Sequence, residues 1–208
     1  MRPRITILLT LLAPLLFFSG TRPAIKMQHV SFLNSSELYL QGSSNVNQFT
    51  CRCEQGLAPL QVNVDFKPED QIARFERAQL NIVTRNLDCG NRGMNRDMYK
   101  TLQANNHPEI SIQLRAVRQL EGYSPMLCDE WVPLLASAYL TIAGKKRIVH
   151  LDVQGRQEPG GHYRFLSELT INMTDFGIDP PTALLGLVQV DNEITIHLDL
   201  HVSAKSIG

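Results

Sequence analysis

The segment "NEITIHLDLHV" near the C-terminus sets the strongest limit on what this chain can fold into. Ile194, Ile196, Leu198, Leu200 and Val202 fall on every second position, with Glu193, Thr195, His197, Asp199 and His201 between them. Successive strand side chains point to opposite faces of a sheet, so a period of two describes a strand with one dry and one wet face. The same alternation returns in "LQVNVDF", "AQLNIVT", "EISIQLRAV", "SAYLTIA", "RIVHLDVQG" and "HYRFLSELTI", and more weakly in "SELYLQG" and "NQFTCRC". So many one-faced strands need a common interior, and a sheet closed on itself supplies one while removing exposed edges.

Short glycine-containing connections, "AGKK" after Leu140 and "EPGGH" after Val153, are of the hairpin kind. They make the chain from Ala138 to Ile171 a three-strand meander. Two segments read as helices. "KPEDQIARFERA" has Pro68 near its start and acids in its first turn, and "GMNRDMYKTLQANNHPE" should stop at His107-Pro108. The expected fold is an all-β antiparallel barrel with one or two short helices.

The chain opens "MRPRITILLTLLAPLLFFSG": two arginines, then an uncharged run of fourteen residues, Ile5 to Phe18. A membrane-spanning helix needs roughly 20 apolar residues, so the run reads as the core of a secretory signal. Residues 1–24 are assigned to the signal and 25–208 to a single domain, periplasmic or secreted. Lys plus Arg and Asp plus Glu are 20 each, with no run of like charge, and aromatic residues are 7% of the chain. That composition lacks the basic footprint and stacking platforms of a nucleic-acid binder.

Four cysteines in an exported chain read as two disulfides. Cys51 and Cys53 share a strand face and are poorly placed to bond each other, which leaves Cys51–Cys89 with Cys53–Cys128, or Cys51–Cys128 with Cys53–Cys89. Paired C-x-x-C knuckles for zinc are absent from the sequence. His197 and His201 lie roughly 13 Å apart along one strand and cannot share an ion unaided. His150 and His162 fall on adjacent strands, close enough in that reading to approach each other. All four read as solvent-facing, and no metal or cofactor is called for. Nor is a catalytic site: the chain has no G-x-S-x-G elbow, and its Asp175-Phe176-Gly177 stands without the glycine-rich loop and H-R-D segment of a kinase.

Four segments together resemble the YceI-like proteins, secreted bacterial lipocalin-like barrels of which several bind long polyisoprenoid chains. They are "LYLQGSSNVNQF", "GMNRDMYKTLQANNHPEISIQL", "YLTIAGKKRIVHLDVQG" and "TINMTDFGIDPPTALLGLVQVDNEITIHLDL". In this resemblance Asp175-Phe176-Gly177 belongs to the connection into the last strand. Gly177 takes backbone angles closed to other residues, Phe176 plugs an end of the barrel, and Pro180-Pro181 stiffen the path. The chain departs from the pattern in its cysteines and in an insertion, "LEGYSPMLCDEWVPLL". The resemblance implies a non-enzymatic lipocalin-like carrier of an apolar, polyisoprenoid-like lipid, with transient contact at a membrane. The lumen would be lined by Leu80, Ile82, Ile112, Leu114, Leu140, Ile142, Leu151, Phe165, Leu169, Ile196 and Leu198. The alternative is a filled barrel serving as a stress-protection or protein-interaction module, and after it an enzyme acting on an apolar substrate.

Overall fold

The computed structural model describes residues 26–67, 71–120 and 130–206. The N-terminal segment assigned to a signal, and Cys128, lie outside the described residues. In chain order the strands are β1 (Lys26–Phe32), β2 (Glu37–Ser44), β3 (Gln48–Cys53), β4 (Leu60–Lys67), β5 (Ile72–Glu76), β6 (Gln79–Val83), β7 (Leu87–Asp88), β8 (Glu109–Gln119), β9 (Val132–Ile142), β10 (Lys145–Glu158), β11 (His162–Asn172), β12 (Thr182–Ala183) and β13 (Val188–Ser206). One helix, α1 (Arg92–Thr101), lies between β7 and β8.

Eight strands close a ring in the order β1-β4-β5-β8-β9-β10-β11-β13, with β13 returning to β1. Neighbours are antiparallel throughout. All nine segments that alternate in sequence are strands, and the meander β9-β10-β11 is as the hairpin signals require. The β9–β10 turn is the two-residue kind: Ile142 pairs with Lys145, and Ala143 and Gly144 both have positive φ, 46° and 75°. Such turns match the twist of the strands they join.

Two long strands change partner partway along. The C-terminal part of β13 pairs β1, as in Ser203 with Ser31, while its N-terminal part pairs β2, as in Ile196 with Leu40. Likewise β8 pairs β5 through Arg118 with Ile72, and β6 through Ile112 with Leu80. A bulge between Leu114 and Ala116 lies between these two sections of β8. One extra residue reverses the alternation, so Val117 rather than Ala116 joins the interior. One end of the barrel is thus walled by β2, β3, β6 and β7, the other by β1, β4 and β5.

The two helix expectations fare differently. Residues 72–76, expected to be helical, form β5, hydrogen-bonded on both sides to β4 and β8. Ring closure between those strands outweighs the local helix signal, and Pro68 lies outside the described residues. The second helix is present but ends at Thr101, with Leu102 as its cap and Gln103 at φ 52°, short of His107-Pro108. Asn91 caps its start, its side chain accepting from the backbone N–H groups of Gly93 and Met94.

Candidate functional site

The interior is packed unevenly. Toward the middle of the ring Ala136, Ala138 and Leu151 are buried, with Leu114, Val117, Val153, Leu169 and Leu198 against them. Toward the end walled by β2, β3 and β6 a cavity of about 590 Å³ opens, within the range of small-molecule sites. Its wall comes from Leu38 and Leu40 of β2, Phe49 and Cys51 of β3, Ile82, Leu87, Ile110 and Ile112, Leu140 and Ile142 of β9, Ile171, and Val190, Ile194 and Ile196 of β13. Met173, Phe176 and Ile178 close it from the turn after β11, where Gly177 at φ 68° lets the chain double back. Phe176 is 2% exposed, which is the plugging role expected of it.

The roof is α1. Met94, Met98, Thr101 and Leu102 line the cavity, the i, i+4, i+7, i+8 stripe of a helix with one apolar face. Three attachments hold the helix down. Tyr99 donates its hydroxyl to the carbonyls of Leu87 and Arg85 at 2.8 and 3.0 Å. Asn95 donates to Asp88 Oδ1 at 2.6 Å and accepts from the Cys89 N–H at 2.8 Å. The bond from Asn95, joined by one from the Gly90 N–H, holds the Asp88 carboxyl below the usual carboxylate range. The Cys51–Cys89 disulfide ties the segment entering α1 to β3, and both sulfurs' residues line the cavity. That is the first bond of one expected pairing. Cys53, expected in the second, carries a thiol that donates to the Gln55 carbonyl and is pushed up in pKa by burial.

Polar residues gather at the rim: Ser44, Asn47, Asn91, Arg96, Asp97 and Thr182. Of the lumen residues expected from the sequence, Ile82, Ile112, Leu140, Ile142 and Ile196 are on the cavity wall. Leu80 is buried in the surrounding core, and Leu114, Leu151, Leu169 and Leu198 pack in the filled middle. Phe165 is beyond them, paired with Leu200 and stacked near Tyr163 at 6.4 Å. Sequence reasoning missed the roof, Phe49, and the wall residues Leu38, Leu40, Ile110, Ile171, Val190 and Ile194. The methionine stripe of α1 was the available signal for the roof.

His150 is exposed as expected, but His197 and His201 are not the solvent-facing groups the sequence suggested. Only 13% of the His197 side chain is exposed: it stacks on Tyr39 at 4.5 Å and approaches Glu168 at 3.2 Å. His201 sits between Glu158 and Asp199, at 3.5 and 3.3 Å. His150 and His162 do not meet, because Val153 pairs with Ser167 and Glu158 with His162, which places His150 toward the far end of the hairpin. Around His201 the outer wall carries two ion pairs, Arg164 with Asp199 at 2.6 Å and Arg156 with Glu158 at 2.8 Å. Arg156 lies over the Trp131 ring at 4.6 Å. Each arginine holds its partner carboxyl below the usual range, Asp199 through Arg164 and Glu158 through Arg156. The network joins β10, β11 and β13 outside the filled part of the ring. Among the described residues no three His, Cys, Asp or Glu side chains converge as metal ligands would.

A closed antiparallel ring with an apolar cavity opening at one end has the architecture of a lipocalin-like barrel. The chain belongs to the YceI-like domain family, whose sequence model matches residues 34–202. Among solved structures it resembles BcnA of Burkholderia cenocepacia, with TM-score 0.60 and 19% identity over 81% of this chain and 96% of that one. It also resembles a polyisoprenoid binding domain from Saccharophagus degradans implicated in plant cell wall breakdown, with TM-score 0.62 and 13% identity over 88% and 100% of the two chains. The YceI protein of Campylobacter jejuni matches with TM-score 0.50 and 14% identity over 74% and 84%. No curated protein matches the chain. At these identities the solved structures establish the shared fold.

Proposed function

We propose that this protein binds an apolar chain lipid, polyisoprenoid-like, in the cavity beneath α1 and carries it outside the cytoplasm, in the periplasm or as a secreted protein. The observation that supports this most is a cavity of about 590 Å³ walled mainly by aliphatic, aromatic and methionine side chains, with its polar residues other than Thr101 gathered at the rim. Such a wall favours a hydrocarbon without requiring a charged anchor. Burying ten methylene groups contributes roughly 8 kcal/mol gross, before the cost of ordering the chain. The polyisoprenoid-binding domain sharing this fold supports the ligand class. The apolar N-terminal run and the Cys51–Cys89 bond support an oxidising compartment. The reading is of a binder rather than an enzyme, since the cavity's charged residues, Arg96 and Asp97, stand at its rim.

Two substitutions test it. Ile194, on the cavity wall, and Leu151, in the filled middle, both face inward. Ile194→Trp should fill the cavity and abolish binding of a labelled polyprenol with little change in melting temperature. Leu151→Trp should overpack the core and destabilise the protein by about 1–3 kcal/mol. Wild-type protein that takes up no polyprenol, together with equal destabilisation by both substitutions, would leave a filled interaction barrel as the better account.

A further inference from the structure

The rim of the cavity carries features that lipid binding inside the barrel does not use. Val46, in the turn between β2 and β3, and Leu185 and Leu187, before β13, are 63%, 107% and 74% exposed. The two segments form one platform. Asn45 donates its side-chain amide to the Leu187 carbonyl at 2.9 Å, and it exchanges hydrogen bonds with Gln189 at 3.0 and 2.9 Å. Leu185 has φ 58°, a left-handed conformation that is unfavourable for a non-glycine residue. The backbone is thus held in an unfavourable state that displays a leucine fully to water. Strain of this kind is usually found where function requires it.

Across the mouth, α1 has a second face. At 100° per residue, Arg92, Arg96 and Lys100 lie on the side of the helix opposite Met94, Met98 and Thr101, which line the cavity. Because the methionine face looks into the barrel, the basic face looks out from the same end. With Arg85 and Tyr99 these residues surround a recess of about 670 Å³ that has no acidic residue on its wall. Arg96 belongs to both this recess and the cavity rim, where its nearest acid is Asp97 at 3.4 Å.

We propose that this end of the barrel docks reversibly on an anionic lipid bilayer, Val46, Leu185 and Leu187 entering the interface while the outer face of α1 meets the headgroups. An apolar tip beside a cluster of basic side chains is the pairing that peripheral contact with charged membranes needs. Three side chains are too small a patch for a stable protein interface, which takes about 800 Å² from each partner. The position also fits the cavity's use, since a hydrocarbon could pass between bilayer and barrel at the mouth without crossing water. The inference rests on the lipid-binding reading for its purpose, but its test does not require a bound isoprenoid.

The experiment is vesicle flotation of the purified protein. One set of vesicles is phosphatidylcholine alone and the other phosphatidylcholine with phosphatidylglycerol, both free of isoprenoid. The protein should float with the mixed vesicles and be released by high salt. Leu185→Asn with Leu187→Ser, and separately Arg92→Glu with Lys100→Glu, should each weaken that partition roughly tenfold or more. None of these four residues lines the cavity, so polyprenol uptake and melting temperature should stay as in the wild type. Asn tolerates the positive φ at position 185, so the first variant keeps the local fold. Wild-type protein that binds neither vesicle, or variants that bind as the wild type does, would overturn the proposal. So would self-association through the leucine tip without vesicle binding, which would assign the surface to a protein partner. Docking without polyprenol uptake would sink the ligand reading alone; uptake without docking would sink only this one.

Discussion

Gly42 is the residue where the cavity's shape is most tightly constrained. A Cβ added there would lie 2.5 Å from Cζ of Phe49 and 2.7 Å from Cδ1 of Ile194, so glycine lets the Phe49 ring lie flat across β2. Both colliding atoms are the far ends of side chains on the cavity wall, and the room available to them is the cavity itself. Gly42→Ala should therefore cost stability only at the lower end of overpacking, about 1 kcal/mol, while turning Phe49 inward and weakening polyprenol binding. Urea melts and a binding titration on the same variant check both halves; a large stability loss with intact binding would contradict the arrangement. Nothing in the local sequence "LQGSS" announces this glycine, because its reason lies in residues 7 and 152 positions away. The alternating residues were readable, by contrast, because their faces follow from spacing alone.

At the scale of elements, alternation correctly located nine strands and gave most of their inward faces, though not beyond the bulge in β8 or at Phe66 of β4, which is 53% exposed. It could not say which inward residues border empty space. Ile112 and Leu114 are equivalent in sequence, yet one is on the cavity wall and the other in the packed middle. Depth along the barrel depends on where β8 and β13 exchange partners, a property of pairings far apart in the chain. β5 was misread for a related reason: "KPEDQIARFERA" satisfies local helix rules, and only its two neighbours in the ring make it a strand. The outer ion-pair network was likewise invisible, since Arg164 and Asp199 become partners only through the register of β11 with β13. Its consequence is a pH dependence. Arg164 depresses the Asp199 carboxyl in the folded state, so the stabilisation is fully present above the ordinary carboxylate value of about 4 and is lost as pH falls through the lower folded value. Asp199→Asn should lower the melting temperature at neutral pH, and the gap from wild type should close as the pH drops below about 4. A gap that stayed constant from neutral pH to pH 3 would mean that the charge of Asp199 contributes nothing.

For the whole molecule, the family fold was legible because four segments and the alternation agreed on it. The uneven interior was not, because it arises from the summed packing of all the strands. The closure of the ring carries a further consequence, for the route by which the chain folds. β1 pairs β13 through contacts such as Gln28 with Ser206 and Ser31 with Ser203, which join residues near opposite ends of the described chain. The β9–β10 hairpin, by contrast, needs only a two-residue turn. Contacts of long sequence separation must overcome the greatest loop-closure entropy before they return any energy. The barrel should therefore grow outward from β9–β10–β11 and seal last along the β1–β13 seam, after the final strand is available. Pulse-labelled hydrogen exchange during refolding should protect the amides of Leu140 and Leu151 before those of Ser31 and Ser203, and simultaneous protection would refute that order. A chain following this route holds an open sheet until β13 arrives, so the cavity under α1 cannot be complete before that strand has found its neighbours on both sides.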